Sequence, residues 1–490
     1  MKSILMTVVA FAVCLAEAAV RYVSPDGSNE APYATWETAA TDLATALSAA
    51  GTGDEICVAS GVTFNPRDSI SIKVGVTMRG VDKATGAAAN ATFDGSDFVG
   101  ERQLLAFENA ATAPKFANLT FRKFPKGALA FTNVNGVEIA DCVFTDNGGS
   151  EVPDGDGGAL SFVQCSAAVI ERSSFTGNAS TCAGGAICLR STRAELLGTI
   201  RDCTFIGNGC DMPTQGGAVY ARREIVIENC RFKDNATAVL PSTFGGAVSC
   251  ESVLRISGCT FTGRANAGYG KCLYATSGIV SNCHFTAVTC EKNADYGLVC
   301  FGGGEITNCR VDGSYLYTRF LQVQGGTSAV NVRNLLLTDD NTFHSAFTLV
   351  GAYNGKGAVF DNCTILTPNG WLFADSTKQT PHYVFNNCAL VGKWPADPGS
   401  VTKEVHACTE PTVSIDALKF VDRAAGNYIP RSDSPLLDKG EALDWQTEES
   451  VDLGGRPRVV GEKVDLGCYE RQTSDTDYRD IRVVATEADR

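Results

Sequence analysis

The stretch Cys203–Tyr220, CTFIGNGCDMPTQGGAVY, decides the fold. Two short apolar bursts, "TF" and "AVY", flank a loop that holds Asn208, Cys210, Asp211 and the pair Gly216–Gly217. Taken alone, such a loop suits a metal site, a phosphate loop or an active-site turn. Its parts recur, however. The frame IRDCTF around Cys203 returns as IADCVF at Cys142, IENCRF at Cys230, ISGCTF at Cys259 and VSNCHF at Cys283. It continues as ITNCRV at Cys309, FDNCTI at Cys363 and FNNCAL at Cys388. Where the Cys is absent the frame persists, in FANLTF around Leu119, IERSSF with Ser173 and VRNLLL with Asn334. The anchors are 23 to 31 residues apart. That variation excludes a strict-period array and suits coils with a fixed core and variable loops.

Two further signals keep the same beat. An aromatic is followed three residues later by Asn at Phe144–Asn147, Phe175–Asn178, Phe205–Asn208 and Phe232–Asn235. Gly-Gly-Ala runs into an aliphatic residue over 157–160, 184–187, 216–219 and 245–248. Each unit therefore carries two or three short strands separated by Asn, Asp and Gly turns. Between about residue 60 and residue 400 there is no helical periodicity. One unit cannot bury its apolar face alone and must stack on its neighbours. The fold expected is all-β: a right-handed, single-stranded parallel β-helix of about twelve coils, roughly 55–60 Å long at about 4.8 Å per coil. Equivalent side chains then form columns. Cys, a small buried hydrophobe, fills one. Asn, which tolerates left-handed backbone and hydrogen-bonds its own turn, fills another. Gly-Gly-Ala sits where the coil bends sharply.

The ends differ from the middle. At the N-terminal end Trp36, Ala40, Leu43 and Leu47 share one face of the one clear amphipathic helix, with Thr35 as N-cap and Gly51 just past its end. This reads as a lid against exposed strand edges. At the C-terminal end SPLLDKG and VDLGGRPRVVGEKVDLGCYE replace the Cys frame. The first residues, a basic Lys2, the apolar ILMTVVAFAVCLA and the small-residue site Ala16–Ala18, read as an export leader. The expected organisation is a leader over 1–18, a cap over 19–60, the β-helix over 61–400, C-terminal coils and cap over 401–470, and a polar tail over 471–490. No other apolar stretch reaches membrane-span length, so the mature chain is expected to lie outside the cytoplasm, in the periplasm, at the cell surface or in the medium. A net charge of −14 argues against nucleic acid or anionic membrane as the main partner.

The paired Gly-Gly-Ala and Phe-x-x-Asn signals, over about residues 140 to 265, resemble the repeats of the chlamydial polymorphic outer-membrane proteins, which are surface β-helix proteins of adhesin-like character. The opening YVSPDGSNEAPYATWETA and the closing SPLLDKG…VDLGCYE resemble the caps of secreted bacterial pectate-lyase-like β-helix proteins. The first resemblance implies binding to cell surfaces. The second leaves room for polysaccharide lyases and glycosidases. The polymorphic proteins end in an autotransporter barrel, but here no run of alternating ten-residue strands follows Cys388, so barrel anchoring does not carry over.

Candidate sites are sparse. There is no Gly-His-Gly turn, and His284, His344, His382 and His406 stand in unrelated contexts. His284 occupies an outward slot of its frame, where it reads as structural or solvent-facing. Asp339 and Asp340 in LLLTDDN are paired acids of the kind that glycoside hydrolysis uses, and equally suit a solvated turn. Asp154 and Asp156 in EVPDGDGGAL alternate with Gly and form the best Ca²⁺ candidate, although the further acids of an EF-hand loop are missing. Cys182 and Cys210 fall in the same loop of consecutive coils and are candidates for a surface disulfide. A bridge within the inner Cys column is disfavoured, because stacking sets the Cβ vectors side by side. The reading reached is a secreted or surface-displayed, non-catalytic β-helix that binds glycans or cell surfaces. The alternative is a polysaccharide lyase or glycoside hydrolase acting on acidic polysaccharide.

Overall fold

The computed structural model describes residues 18–149, 157–192, 196–210, 215–237, 243–290, 297–314, 319–326, 328–338, 347–353, 356–374, 380–396 and 400–477. Among the described residues thirty-seven strands join into one continuous ladder. Each coil contributes one strand to each of three faces. Across the Cys203 coil, Leu196–Arg201 lies on the first face, Thr204–Ile206 on the second and Val219–Ala221 on the third. Every one of them pairs in parallel with its counterpart in the next coil, at Glu224–Glu228, Arg231–Lys233 and the start of Val248–Ser257.

Period-2 alternation turns one set of side chains into the rod, and stacking makes columns of them. On the first face the inward column runs through Ile139, Ile170, Ile200, Ile227 and Ile256. On the second, Phe93, Phe121, Phe144, Phe175, Phe205, Phe232, Phe261 and Phe285 stack ring on ring, with consecutive centroids 4.8 to 5.4 Å apart. A one-residue slip would turn the whole Phe column into solvent, so register is strongly specified.

The turn from first to second face needs one left-handed residue. Asn118, Asp141, Asp202, Asn229, Asn282, Asn308, Asn334, Asn362 and Asn387 supply it, each with φ between 50° and 55°. The next residue is the frame Cys, which fills the inside corner. In VRNLLL that slot belongs to Leu335, one residue after Asn334. The backbone N–H of Cys203 donates to the Cys230 sulfur at 3.4 Å, and that of Cys230 to the Cys259 sulfur at 3.3 Å. Ser173 substitutes through its hydroxyl, which accepts from Cys142 N–H at 3.1 Å. The column sulfurs are free thiols. Burial pushes the Cys142 thiol up to about 12, which keeps it an inert core atom.

The second Asn column differs from expectation. Asn147, Asn178, Asn208 and Asn235 are buried and lack left-handed backbone; Asp146, Gly177, Gly207 and Asp234, one residue earlier, take positive φ instead. Their amides form a ladder of their own. Asn178 Nδ2 donates to Asn208 Oδ1 and to Phe144 O, both at 3.0 Å, while Asn178 Oδ1 accepts from the Asn147 backbone N–H at 3.1 Å. Beyond it, Gly216 has φ +71°, and a Cβ on Gly217 would lie 2.0 Å from Gly246 O in the next coil. Close approach of backbones therefore fixes this Gly pair.

The N-terminal lid is smaller than expected. The helix is Leu43–Ser48, capped by Asp42, whose side chain accepts from Thr45 N–H. Thr35 and Gly51 are not its caps: Trp36 lies in a turn before the helix, against Tyr22 with ring centroids 4.5 Å apart, and Ala40 is bridged to Val23. Leu43, Ala46 and Leu47 still bury their side chains in the core.

Among the described residues the C-terminal segment is a side strap and does not pair with the last strand of the rod. After the strand Thr402–His406 the chain turns back along the second face, where an antiparallel pair, Phe420–Asp422 with Asn427–Pro430, begins the strap. The outward residues of that face become apolar under the strap: Leu336, Leu366, Ala389 and Val391 join Leu418, Tyr428, Leu436 and Leu466 in a second core. Three left-handed Asn residues anchor it. Asn334 Nδ2 donates to Val451 O, Asn362 Nδ2 to Asp465 O and Asn387 Nδ2 to Glu441 O.

Candidate functional site

Among the described residues, the outward side chains of the second face upstream of the strap stay at least partly exposed, and they repeat with the coils. One column runs Thr120, Val143, Ser174, Thr204, Arg231, Thr260 and His284. The column beside it runs Arg122, Thr145, Thr176, Ile206, Lys233 and Thr262. All are at least partly exposed, and Arg231 and Lys233 are fully on the surface. The inward Phe column fixes their spacing, so the face is a regular array of hydroxyls and cations, interrupted by Val143 and Ile206. Arg122 at the start of the array is paired with Asp94 of the preceding coil at 2.7 Å, and the neighbouring first face is laced with ion pairs such as Glu171–Arg201 and Arg172–Asp141.

The open array ends at a charged cluster beside the strap. His284 Nε2 donates to Asp312 Oδ1 at 2.9 Å, and Arg310 Nε donates to the other carboxylate oxygen. The frame puts His284 and Arg310 in one column of successive coils. Burial raises the Asp312 carboxyl, but the His284 hydrogen bond and the nearby charges outweigh it and hold it at about 2. A folded-state value below the ordinary one near 3.8 means that this stability is complete above pH 4 and is lost as pH falls through 2. Asp312→Asn is therefore expected to remove about 2 kcal/mol of stability at pH 6 and almost none at pH 2. Denaturant midpoints of both proteins across that range check it.

On the outer third face Tyr220 donates its hydroxyl to Glu251 Oε1 at 2.7 Å, and Arg222 lies 3.7 Å from the other Glu251 oxygen. Burial pushes the phenol well above its ordinary range. A cleft of about 540 Å³ opens where the strap leaves the last coils. Lys393 from the coil and Arg423 and Asp416 from the strap line its rim, over a floor that includes Val391 and Pro411. Lys393 Nζ lies 6.0 Å from the centroid of Trp371, one coil earlier.

The sequence matches the family described as the right handed beta helix region over residues 61–285 and 158–336, together more than half of the chain. The chain belongs to the right-handed β-helix family. No curated protein matches it. Three solved structures similar to this β-helix are distant. Tailspike protein 3 of bacteriophage CBA120 is 10% identical with a TM-score of 0.42, over 74% of this chain and 57% of that one. Pectate lyase Pel9A is 13% identical with a TM-score of 0.31, over 93% and 96%. The alginate lyase of Paenibacillus sp. str. FPU-7 is 12% identical with a TM-score of 0.28, over 74% and 96%. The β-helix thus spans little more than half of the tailspike chain.

Of the residues singled out from sequence, Asp154, Asp156, Asp339 and Asp340 lie outside the described residues, the last two directly after the strand Leu336–Thr338. No disulfide joins Cys182 and Cys210 in this structure. Cys210 stands opposite Ser180 in the ladder, two residues out of step with Cys182, and its sulfur faces Gly216 O at 3.5 Å. Two residues of offset at about 3.3 Å each, added to the coil spacing, exceed disulfide reach. No group of three His, Cys, Asp or Glu among the described residues is arranged to hold a metal ion. Among those residues no helix is long and apolar enough to cross a membrane. The His284–Asp312–Arg310 cluster escaped sequence reading, although the shared frame of VSNCHF and ITNCRV carries its register. The cleft escaped it entirely, because the strap crosses the rod at positions that no repeat encodes.

Proposed function

We propose that this right-handed β-helix protein is exported and binds polysaccharide or cell-surface glycan along its second face without cleaving it, in the manner of an adhesin. The supporting observation is the double column of hydroxyls and cations from Thr120 to Thr262. Its repeat of about 4.8 Å per coil is close to the length of one sugar residue in an extended chain. An array of fixed spacing loses little entropy on binding, and several weak contacts along one chain add through effective concentration. Arg231 and Lys233 give the array a local positive charge on an acidic protein, which favours acidic glycans. The leader at residues 1–18 supports the export route.

The double substitution Arg231→Glu with Lys233→Glu is expected to weaken binding to acidic polysaccharide about tenfold or more, equivalent to about 1.4 kcal/mol. Thermal stability should be unchanged, since both side chains are exposed. Affinity electrophoresis or calorimetry of the mature protein against a panel of acidic and neutral polysaccharides reads the effect. Unaltered binding by the variant would remove the second face from the account.

A second reading, lyase or hydrolase activity on acidic polysaccharide, is favoured by the Tyr220–Glu251–Arg222 cluster, which places a phenol, a carboxylate and a guanidinium together. Unsaturated products or new reducing ends that disappear in Tyr220→Phe would establish it.

A further inference from the structure

The end of the rod carries an unfinished ladder. Among the described residues the strand Thr402–His406 pairs only with His382–Asn386, and all five of its residues are exposed. Thr402 N–H donates to Pro381 O, and His406 O accepts from Asn387 N–H. By the alternation of a parallel ladder, Thr402, Glu404 and His406 point their backbone groups at the coil below, while Lys403 and Val405 point theirs at the open edge. Val405 also ends the inward column that runs through Phe360 and Phe385, and it stays 41% exposed. An edge of this kind is ordinarily blunted by charge, above all by Lys. Here Lys403 is drawn aside, its Nζ 3.9 Å from the centroid of Trp394.

We propose that this edge pairs with the same edge of a second copy of the chain, joining two rods end to end about a twofold axis. Side-chain charge selects the register. A twofold antiparallel pairing centred on Lys403 opposes two lysines, and one centred on Glu404 opposes two carboxylates; both are unfavourable. The register centred on Val405 exchanges two backbone hydrogen bonds between the Val405 residues and buries both of their side chains. It also sets Glu404 of each chain against His406 of the other. Glu404 already holds His406 Nε2 at 3.2 Å and His382 Nε2 at 3.3 Å within one chain, so both groups stand on the outer side of the strand, ready to meet their counterparts.

Light scattering coupled to size exclusion, on the mature protein at about 50 μM, above the micromolar range where such an interface forms, is expected to give a dimer. Val405→Pro removes the central N–H and should give a monomer. E404H alone sets His against His and should also dissociate the dimer, whereas E404H combined with H406E restores the pair and should restore the dimer. These two exposed positions leave the core untouched, so the rescue separates lost pairing from lost folding. A monomeric wild type at that concentration, or a dimer that persists in both Val405→Pro and E404H, would overturn the proposal.

Discussion

Phe205→Ala is expected to destabilise the rod by about 3–5 kcal/mol, the range for truncating a fully buried aromatic. Phe205 is 0% exposed and sits at mid-column, with ring centroids 4.9 Å from both Phe175 and Phe232. The fixed coil spacing prevents the neighbours from closing on the void, so the cavity term stays near its maximum. Each lost ring pair adds about 0.5–1.5 kcal/mol beyond buried area. Phe205→Leu keeps most of the volume and should cost less than half as much. Urea unfolding of the three proteins checks the order. Equal midpoints for Phe205→Ala and wild type would mean that the column does not hold the coils together.

Asn178→Leu is the second large effect. The substitution is close in volume and apolar, and so would be harmless at an ordinary core position. Here it orphans the buried Asn147 backbone N–H and takes one hydrogen bond each from Phe144 O, Asn208 Oδ1 and Asn147 Nδ2, of which Asn208 Oδ1 keeps the backbone N–H of residue 178 and Asn147 Nδ2 keeps Phe121 O. At about 1–3 kcal/mol for the one unsatisfied buried group and about 1 kcal/mol net for the further hydrogen bonds lost, the cost is about 3 kcal/mol. Because a solenoid responds locally, hydrogen exchange should rise first in the coils on either side, around Asn147 and Asn208. If Asn178→Leu unfolds at the wild-type midpoint with unchanged exchange there, the amide ladder is not a stabilising element.

These two residues also mark how much the sequence discloses. The Phe and Cys columns were legible because stacking repeats them: a residue type recurring once per coil must occupy one place in space. Asn178 was legible as a column but not in its role. Both a left-handed turn residue and a buried ladder amide are written as Asn, and only the backbone of Gly177 and Asp146 separates them. The lid was misjudged because Trp36 and Ala40 keep helical spacing by coincidence while Ala40 bridges Val23. The strap was least legible. Leu336, Leu366 and Val391 show that something covers the second face there, but nothing in their periodicity says what. The candidate site follows the same division. The outward columns from Thr120 to Thr262 can be counted from the frame, whereas the cleft beside Lys393 and Arg423 depends on where a non-repeating segment crosses the rod.

Glycan binding without cleavage along the second face is the central claim, and one experiment meets it directly. The purified mature protein is titrated with acidic and neutral polysaccharides while products are followed by absorbance of unsaturated ends and by reducing-end assay. The account predicts saturable binding to at least one acidic polysaccharide, weakened about tenfold or more in the Arg231→Glu, Lys233→Glu variant, with no product at any time. Product formation, or no binding to any polysaccharide in the panel, would contradict it.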